Sequence, residues 1–484
     1  MRLRALGCGL LVVLLSCAGS DKPVGGGEAG QATTGGAGGS GNGGTSQGGD
    51  AGDDQGGSSG TSQGGAGGSA GDSVAGTGGQ DEGTVTGVVR TYSGSPNENV
   101  LIAIGSATTM TDRDGRFEIP DVPLEYDLVL IAAPESYALV IRGISERALS
   151  LSAPGYDNPH GANIAGVVTG GAGTPVPADC VARAAFQGSS IEVSGLFGAD
   201  VFLNVSDASY AIDPFWYGPA SVSGFLYALE YRRDAMSRAI SYDGFGSKPF
   251  GISDRGVYGL PDGSIPATTI ALAPVASRTV SGTVTVPPGS FHTLEFSVGP
   301  FQTDFINDPE GTYSAVLPTG LAGIRNLVTL SAERIVEPYA SKKPPANEIS
   351  YATFLIDDAM TTLDLSTLES VAVSILPAEG AVGVDHDTQF SWEPPADSVS
   401  MLLFIFATWR VSVVTDASSA TIPDLTEYGV SQESGTGLWT VGSAIGPTNV
   451  DEWLRFTADP AAYLNAHGKI EGTSGVVRTF NLAN

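Results

Sequence analysis

Val85-Thr86-Gly87-Val88-Val89, then Asp112-Arg113-Asp114-Gly115-Arg116-Phe117, then Ala148-Leu149-Ser150-Leu151: an apolar strand with a central glycine, an acidic turn running into an aromatic, and an alternating strand. The pattern returns twice. Ile164-Ala165-Gly166-Val167-Val168 leads to Asp207-Ala208-Ser209-Tyr210 and closes at Ile270-Ala271-Leu272. Val280-Ser281-Gly282-Thr283-Val284 leads to Asp308-Pro309-Glu310-Gly311-Thr312-Tyr313 and closes at Leu363-Asp364-Leu365. Glycine and turn aspartate lie 25, 41 and 26 positions apart, so the second copy carries an insertion and a turn without glycine. An aspartate carboxylate can accept from backbone N–H groups two residues on, and glycine permits positive φ. Asp112, Gly115, Asp308 and Gly311 are therefore expected to be structural turn residues, and the following aromatic to re-enter a strand facing the core. Short Val, Ile, Thr, Tyr and Phe runs broken by Gly, Pro and Asp fill the chain beyond Glu82. Such runs, in a repeating series, predict an all-β chain of tandem antiparallel β-sandwich modules.

Gly87-Val88-Val89, Thr111-Asp112-Arg113-Asp114-Gly115-Arg116-Phe117-Glu118-Ile119, Val122-Pro123 and Tyr126-Asp127-Leu128 resemble the carboxypeptidase regulatory-like domain. That family is a seven-stranded sandwich related to transthyretin and the Cna B-type repeats. The resemblance covers 83–154, extends to the opening and turn of 277–366, and is weak over 161–275. It implies non-catalytic modules, and its fold group is described as carbohydrate-binding-like, which implies a sugar as one partner class. The last stretch, 371–484, differs. Gln389-Phe390-Ser391-Trp392-Glu393-Pro394-Pro395, Gly437-Leu438-Trp439-Thr440-Val441 and a final Val476–Leu482 strand resemble a fibronectin type III or related Ig-like domain. Met401–Phe406 reads as a buried strand of that module, and Asp459–His467 as a short helix with Pro460 at its first position.

Ahead of the modules lie an address and a tether. Arg2 and Arg4 precede an apolar run from Leu6 to Leu15, too short for a bilayer core of ~30 Å. Residues 1–16 therefore read as a secretion signal. Leu14-Leu15-Ser16-Cys17 resembles a bacterial lipobox, which implies cleavage before Cys17 and its lipidation; Leu15 departs mildly from that pattern. Several acyl chains would hold the chain on a membrane where one would not. Residues 17–82 read as a disordered tether: 18–82 hold 26 Gly and no Phe, Trp or Tyr, so nothing there can form a core. The expected location is the bacterial envelope, lipid-anchored and facing outward.

The 484 residues carry 23 basic and 52 acidic side chains, a formal net charge of −29. That argues against nucleic acid and leaves membrane contact to the lipid. Three Cys exclude a disulfide scaffold, since Cys8 falls in the signal, Cys17 is the lipidation candidate and Cys180 is left alone. His160, His292, His386 and His467 sit in four separate segments, so neither zinc nor acid–base chemistry is expected, and Asp385-His386-Asp387 reads as a solvated loop. Asp112-x-Asp114-Gly115 lacks the third carboxylate and terminal Glu of a calcium loop; a turn is the reading, with weak Ca²⁺ at Asp112 and Asp114 as the alternative. No cofactor is expected.

The candidate ligand site is aromatic. In Asp213-Pro214-Phe215-Trp216-Tyr217-Gly218-Pro219 three consecutive rings cannot share one strand face. Either Phe215 and Tyr217 enter the core with Trp216 at a domain contact, or Trp216 and Tyr217 stand exposed for stacking. Tyr227 and Tyr231 have the even spacing of one strand face and complete the set. The expected function is non-enzymatic adhesion or recognition, with glycans or envelope proteins as partners. The alternatives are a structural spacer or accessory envelope subunit, or a hydrolase built round a polar cleft that the spacing does not reveal.

Overall fold

The computed structural model describes residues 83–484 except 93, 134–135, 156–158, 189–199, 218–219, 254–255, 258–259, 262–263, 308–310, 322, 338–345, 368–370, 431–433 and 484. Cys17, Asp308 and the leader and tether readings lie outside the described residues. The described chain is all-β, with two short α-helices. Below, modules 1 to 4 are 83–154, 161–275, 277–366 and 371–484.

Each repeat builds the same three-stranded sheet around its opening strand. Gly83–Arg90 lies between Arg116–Val122, antiparallel, and Ala148–Ser152, parallel. Asn163–Thr169 lies between Ser209–Ile212 and Ser264–Ala271 in the same senses. Ala276–Thr285 lies likewise between Thr312–Thr319 and Leu365–Ser366. The register explains the recurring glycine: Gly87 faces Phe117, Gly166 faces Tyr210 and Gly282 faces Tyr313. A Cβ on Gly87 would stand 2.5 Å from the Phe117 ring, and one on Gly166 or Gly282 would stand 1.9 Å from the carbonyl of Thr268 or Leu363. Tyr210 and Tyr313 donate their hydroxyls to those same carbonyls, at 3.1 and 2.7 Å. The aromatic thus faces the glycine in all three copies, and in the second and third its hydroxyl also bonds the closing segment.

The second sheets do not follow chain order. A fourteen-stranded sheet runs through modules 3, 4 and 1. At one junction Ala346–Ile356 of module 3 pairs antiparallel with Lys469–Ser474 of module 4. At the other, Tyr137–Ile144 of module 1 pairs parallel with Arg410–Thr415 of module 4, from Arg410 against Tyr137 to Val414 against Ile141. Module 2 keeps its own sheet of Asp200–Phe202, Cys180–Gly188, Ser221–Arg233 and Ala239–Ser253.

The cores are shared accordingly. Leu128, Leu130, Leu139 and Ile141 of module 1 pack with Val399, Met401 and Val414 of module 4, while Ile131, Ala138 and Val140 turn the other way into the Phe390, Trp392 and Trp439 core. Tyr227, Leu229 and Tyr231 of module 2 join the Phe296, Phe301 and Leu330 core of module 3. Helix α1, Val450–Ala458, sends Trp453, Leu454 and Phe456 into the module 1 core. Asn449 caps it through Glu452 N–H, while the Glu452 carboxylate accepts from Thr448 N–H at 2.7 Å. Asp451, in its first turn, accepts from the N–H groups of Ser145 and Glu146. Helix α2, Pro460–His467, starts at the expected proline, with Asp459 accepting from Ala462 N–H at 2.8 Å.

Candidate functional site

The turn residues behave as local chemistry requires. Asp112 Oδ1 accepts from Asp114 N–H at 2.9 Å and Arg116 N–H at 2.8 Å. Gly115 has φ +72°, and a Cβ there would stand 2.3 Å from the Val89 carbonyl. Gly311 has φ +68° in the third copy. In the second, Asp207 accepts from Ser209 N–H and Oγ, and Ala208 takes φ +52° where the other copies have glycine. Among the described residues no three His, Cys, Asp or Glu side chains gather to hold a metal.

Trp216, Tyr227 and Tyr231 of the aromatic candidates lie inside. Trp216, in strand Phe215–Tyr217 paired with Pro159–Gly161, is fully buried in the module 2 core, its ring 5.7 Å from His160. The side chain of Tyr217 is outside the described residues. Tyr227 and Tyr231 share one face, as their spacing predicts, but module 3 covers it and leaves them 8% and 6% exposed. Tyr227 stacks between Phe225 and Phe245, each 5.9 Å away, and Tyr231 packs on Tyr242 at 5.7 Å. Stacking on an outside ligand needs ring faces at the surface. Trp216 turns its ring into module 2's own core, and Tyr227 and Tyr231 turn theirs to module 3, because their strand is covered on both faces, by module 2's core on one and module 3 on the other.

A cleft opens instead at one end of module 4. The Phe406-Ala407-Thr408-Trp409 turn, closed by Phe406 N–H to Trp409 O at 2.8 Å, forms one wall. The 384–386 and 422–430 segments form the other, and Val411, Leu425 and Leu482 the apolar floor. The cleft is open to solvent and has a volume of about 50 Å³. Trp409 and Phe406 are half-buried, and Phe406 continues the aromatic core, stacked on Phe404 at 6.5 Å and edge-on to Phe480 at 6.1 Å. His386 Nδ1 lies 3.1 Å from the Ile422 carbonyl, which can only accept, so that nitrogen carries the hydrogen.

Carboxylates ring the mouth. Asp385 accepts from the Thr388 hydroxyl at 2.7 Å, and this bond together with backbone N–H groups holds its carboxyl below the usual range. Asp424 accepts from Thr426 Oγ1 and N–H, which lower it in the same way, helped by His386. The sequence reading took Asp385-His386-Asp387 for a solvated loop, placed Phe406 at the end of a buried strand and gave Trp409 no role; the strand ends at Ile405 and Phe406 is half-buried. The signal was a Trp just past the apolar 401–406 run, and only the fold brings the three loops together.

No protein-family model and no curated protein matches the chain. Among solved structures it is similar to the Bacillus anthracis TIE protein, at 11% identity and TM-score 0.14, over 59% of this chain and 50% of that one. It is also similar to a major pilin subunit of Bacillus cereus, at 9% identity and TM-score 0.13, over 59% of this chain and 99% of the other. A pilus adhesin, SpaC of Lactobacillus rhamnosus GG, matches at 13% identity and TM-score 0.13, over 61% and 44%. The chain thus spans about half the length of the TIE protein. Superposition at TM-scores this low conveys no function. No described helix is long and apolar enough to cross a membrane.

Proposed function

We propose that the chain is a lipid-anchored protein of the bacterial envelope that acts by binding, not catalysis, presenting its β-sandwich modules outward for adhesion or recognition. The observation that carries the reading is the chemistry of the module 4 cleft: aromatic walls, an aliphatic floor and anionic turns, with its one histidine tied to a backbone carbonyl. Such a surface offers shape and charge to a partner. The Cys17 lipobox and the Gly-rich segment behind it supply anchor and reach. A glycan or an envelope protein is the partner class.

The experiment has two arms. Cys17→Ala is expected to abolish incorporation of a radiolabelled fatty acid and to move the chain from the membrane to the soluble fraction. Surface capture by the full chain, read on a glycan array and by crosslinking to envelope proteins, is expected to fall on Trp409→Ala. A chain that stays membrane-bound as Cys17→Ala overturns the anchor, and capture indifferent to Trp409 overturns recognition at the cleft. A spacer role is the second reading. It is favoured by the strand pairing that locks module 1 to module 4, and it predicts crosslinks to envelope subunits that Trp409→Ala leaves untouched.

A further inference from the structure

We infer that the module 4 cleft seats an aliphatic side chain carried on a positively charged peptide. This rests on the recognition reading above and names its ligand.

Lining sets the first limit. Val411, Ile422, Leu425 and Leu482 offer a seated group aliphatic contact and no hydrogen-bond partner. A sugar ring placed there would leave its hydroxyls unpaired, whereas an aliphatic side chain loses nothing.

Charge sets the second. Asp385, Asp387, Asp424 and Glu427 are all exposed on the two loops that make the mouth, and neither 384–388 nor 422–430 contains a Lys or Arg. Two of the four carboxylates are fixed by their turns, Asp385 through Thr388 and Asp424 through Thr426, so they meet a ligand already oriented. Arg410, next to Trp409 in the sequence, alternates to the other face of its strand from Val411, and its charge acts on Tyr92. An acidic peptide would meet like charge here, and a neutral one would gain nothing from the rim. The chain's −29 net charge adds long-range steering of a cationic partner.

The test uses the purified full chain and three end-blocked pentapeptides: Lys-Lys-Leu-Lys-Lys, Lys-Lys-Ser-Lys-Lys and Glu-Glu-Leu-Glu-Glu. Binding is read by calorimetry and by tryptophan fluorescence. The chain has five Trp, of which Trp216, Trp392, Trp439 and Trp453 are buried, so the change reports Trp409. The basic leucine peptide is expected to bind at least tenfold tighter than the other two, and binding is expected to weaken steeply with salt. Asp385→Asn with Asp424→Asn should weaken it about tenfold and flatten the salt dependence. Thr426→Arg, an exposed rim change that spares the floor, should do the same, and keeps the test informative should Trp409→Ala disturb the fold. Equal binding of the serine peptide overturns the seated side chain, and equal binding of the acidic peptide overturns the charge rule. Glycan-array signal that Trp409→Ala abolishes, with no peptide bound, overturns the peptide and keeps recognition at the cleft. Binding of nothing, with surface capture unchanged by Trp409→Ala, removes both.

Discussion

Glycine 166 shows how much one residue carries. Its missing side chain lets Tyr210 lie across the opening strand and reach the Thr268 carbonyl, and a methyl there would meet that carbonyl at 1.9 Å. The obstruction is backbone, so no rotamer relieves it. Gly166→Ala is expected to cost about 2–4 kcal/mol by forcing the closing strand outward. Gly161, where an added Cβ meets nothing within 4 Å, is the control, and Gly161→Ala should fall within about 0.5 kcal/mol of the parent. Equal midpoints for the two variants in denaturant unfolding would remove this account of the repeat. The glycine and the aromatic were both legible in the sequence, since they recur at matching places. That they are cross-strand partners was not, because two further strands lie between them in the chain and no hairpin turn sets their register. Trp216 shows the opposite limit. Alternation lets either the middle ring of three or its neighbours enter a core, and only the pairing with Pro159–Gly161 chose Trp216.

Strands and helices are legible where their signals are local. The proline start of α2 is such a signal. So was the box around α1, Asn449 with Glu452 three residues on, which the sequence reading passed over. Edge strands are harder, since their neighbours come from elsewhere. Phe301–Asn307 ends the fourteen-stranded sheet and places Asp304 at the seam with module 2. Burial pushes its carboxyl up to about 6, against a backbone bond from Phe305 N–H and the Arg238 charge, with Asp234 adding to the rise. A charged group turned inward from an edge also discourages pairing with a stray strand. The folded protein therefore binds this proton more tightly than the unfolded chain, whose carboxyl titrates near 4. The penalty is absent below about pH 4, grows up to about pH 6 and is complete above it. Asp304→Asn should stabilise the protein by on the order of 2 kcal/mol at pH 7.5 and change little at pH 4. Urea midpoints of parent and variant at those two pH values measure it, and a gap that does not depend on pH rules it out.

At the scale of the molecule the chain ends are coupled. Tyr137-Ala138-Leu139-Val140-Ile141 and Met401–Phe406 are both unbroken apolar runs, the mark of strands covered on two faces. The second was read as buried, yet nothing in either run says that the two strands belong to neighbouring halves of one sheet. Pairing across some 270 positions leaves no local trace, whereas modules in chain order do. The physical consequence is cooperative. Without module 4, the Tyr137–Ile144 strand would lose its parallel partner, and Ile131, Ala138 and Val140 would face water. The other module 1 face would lose Val399, Met401, Val414 and the α1 rings. Burial of such side chains is worth about 1.5–3 kcal/mol each, more than a module of some 70 residues holds in reserve. A chain ending at 366 is therefore expected to lose amide protection throughout 83–154, although every residue of module 1 is present. Adding residues 371–484 as a separate polypeptide should restore that protection, because the two share a ladder and two cores. Module 2, whose own core needs no residue of module 4, should stay protected in both samples. Unchanged exchange rates in 83–154 on truncation would mean that module 1 stands alone and that the shared sheet contributes little.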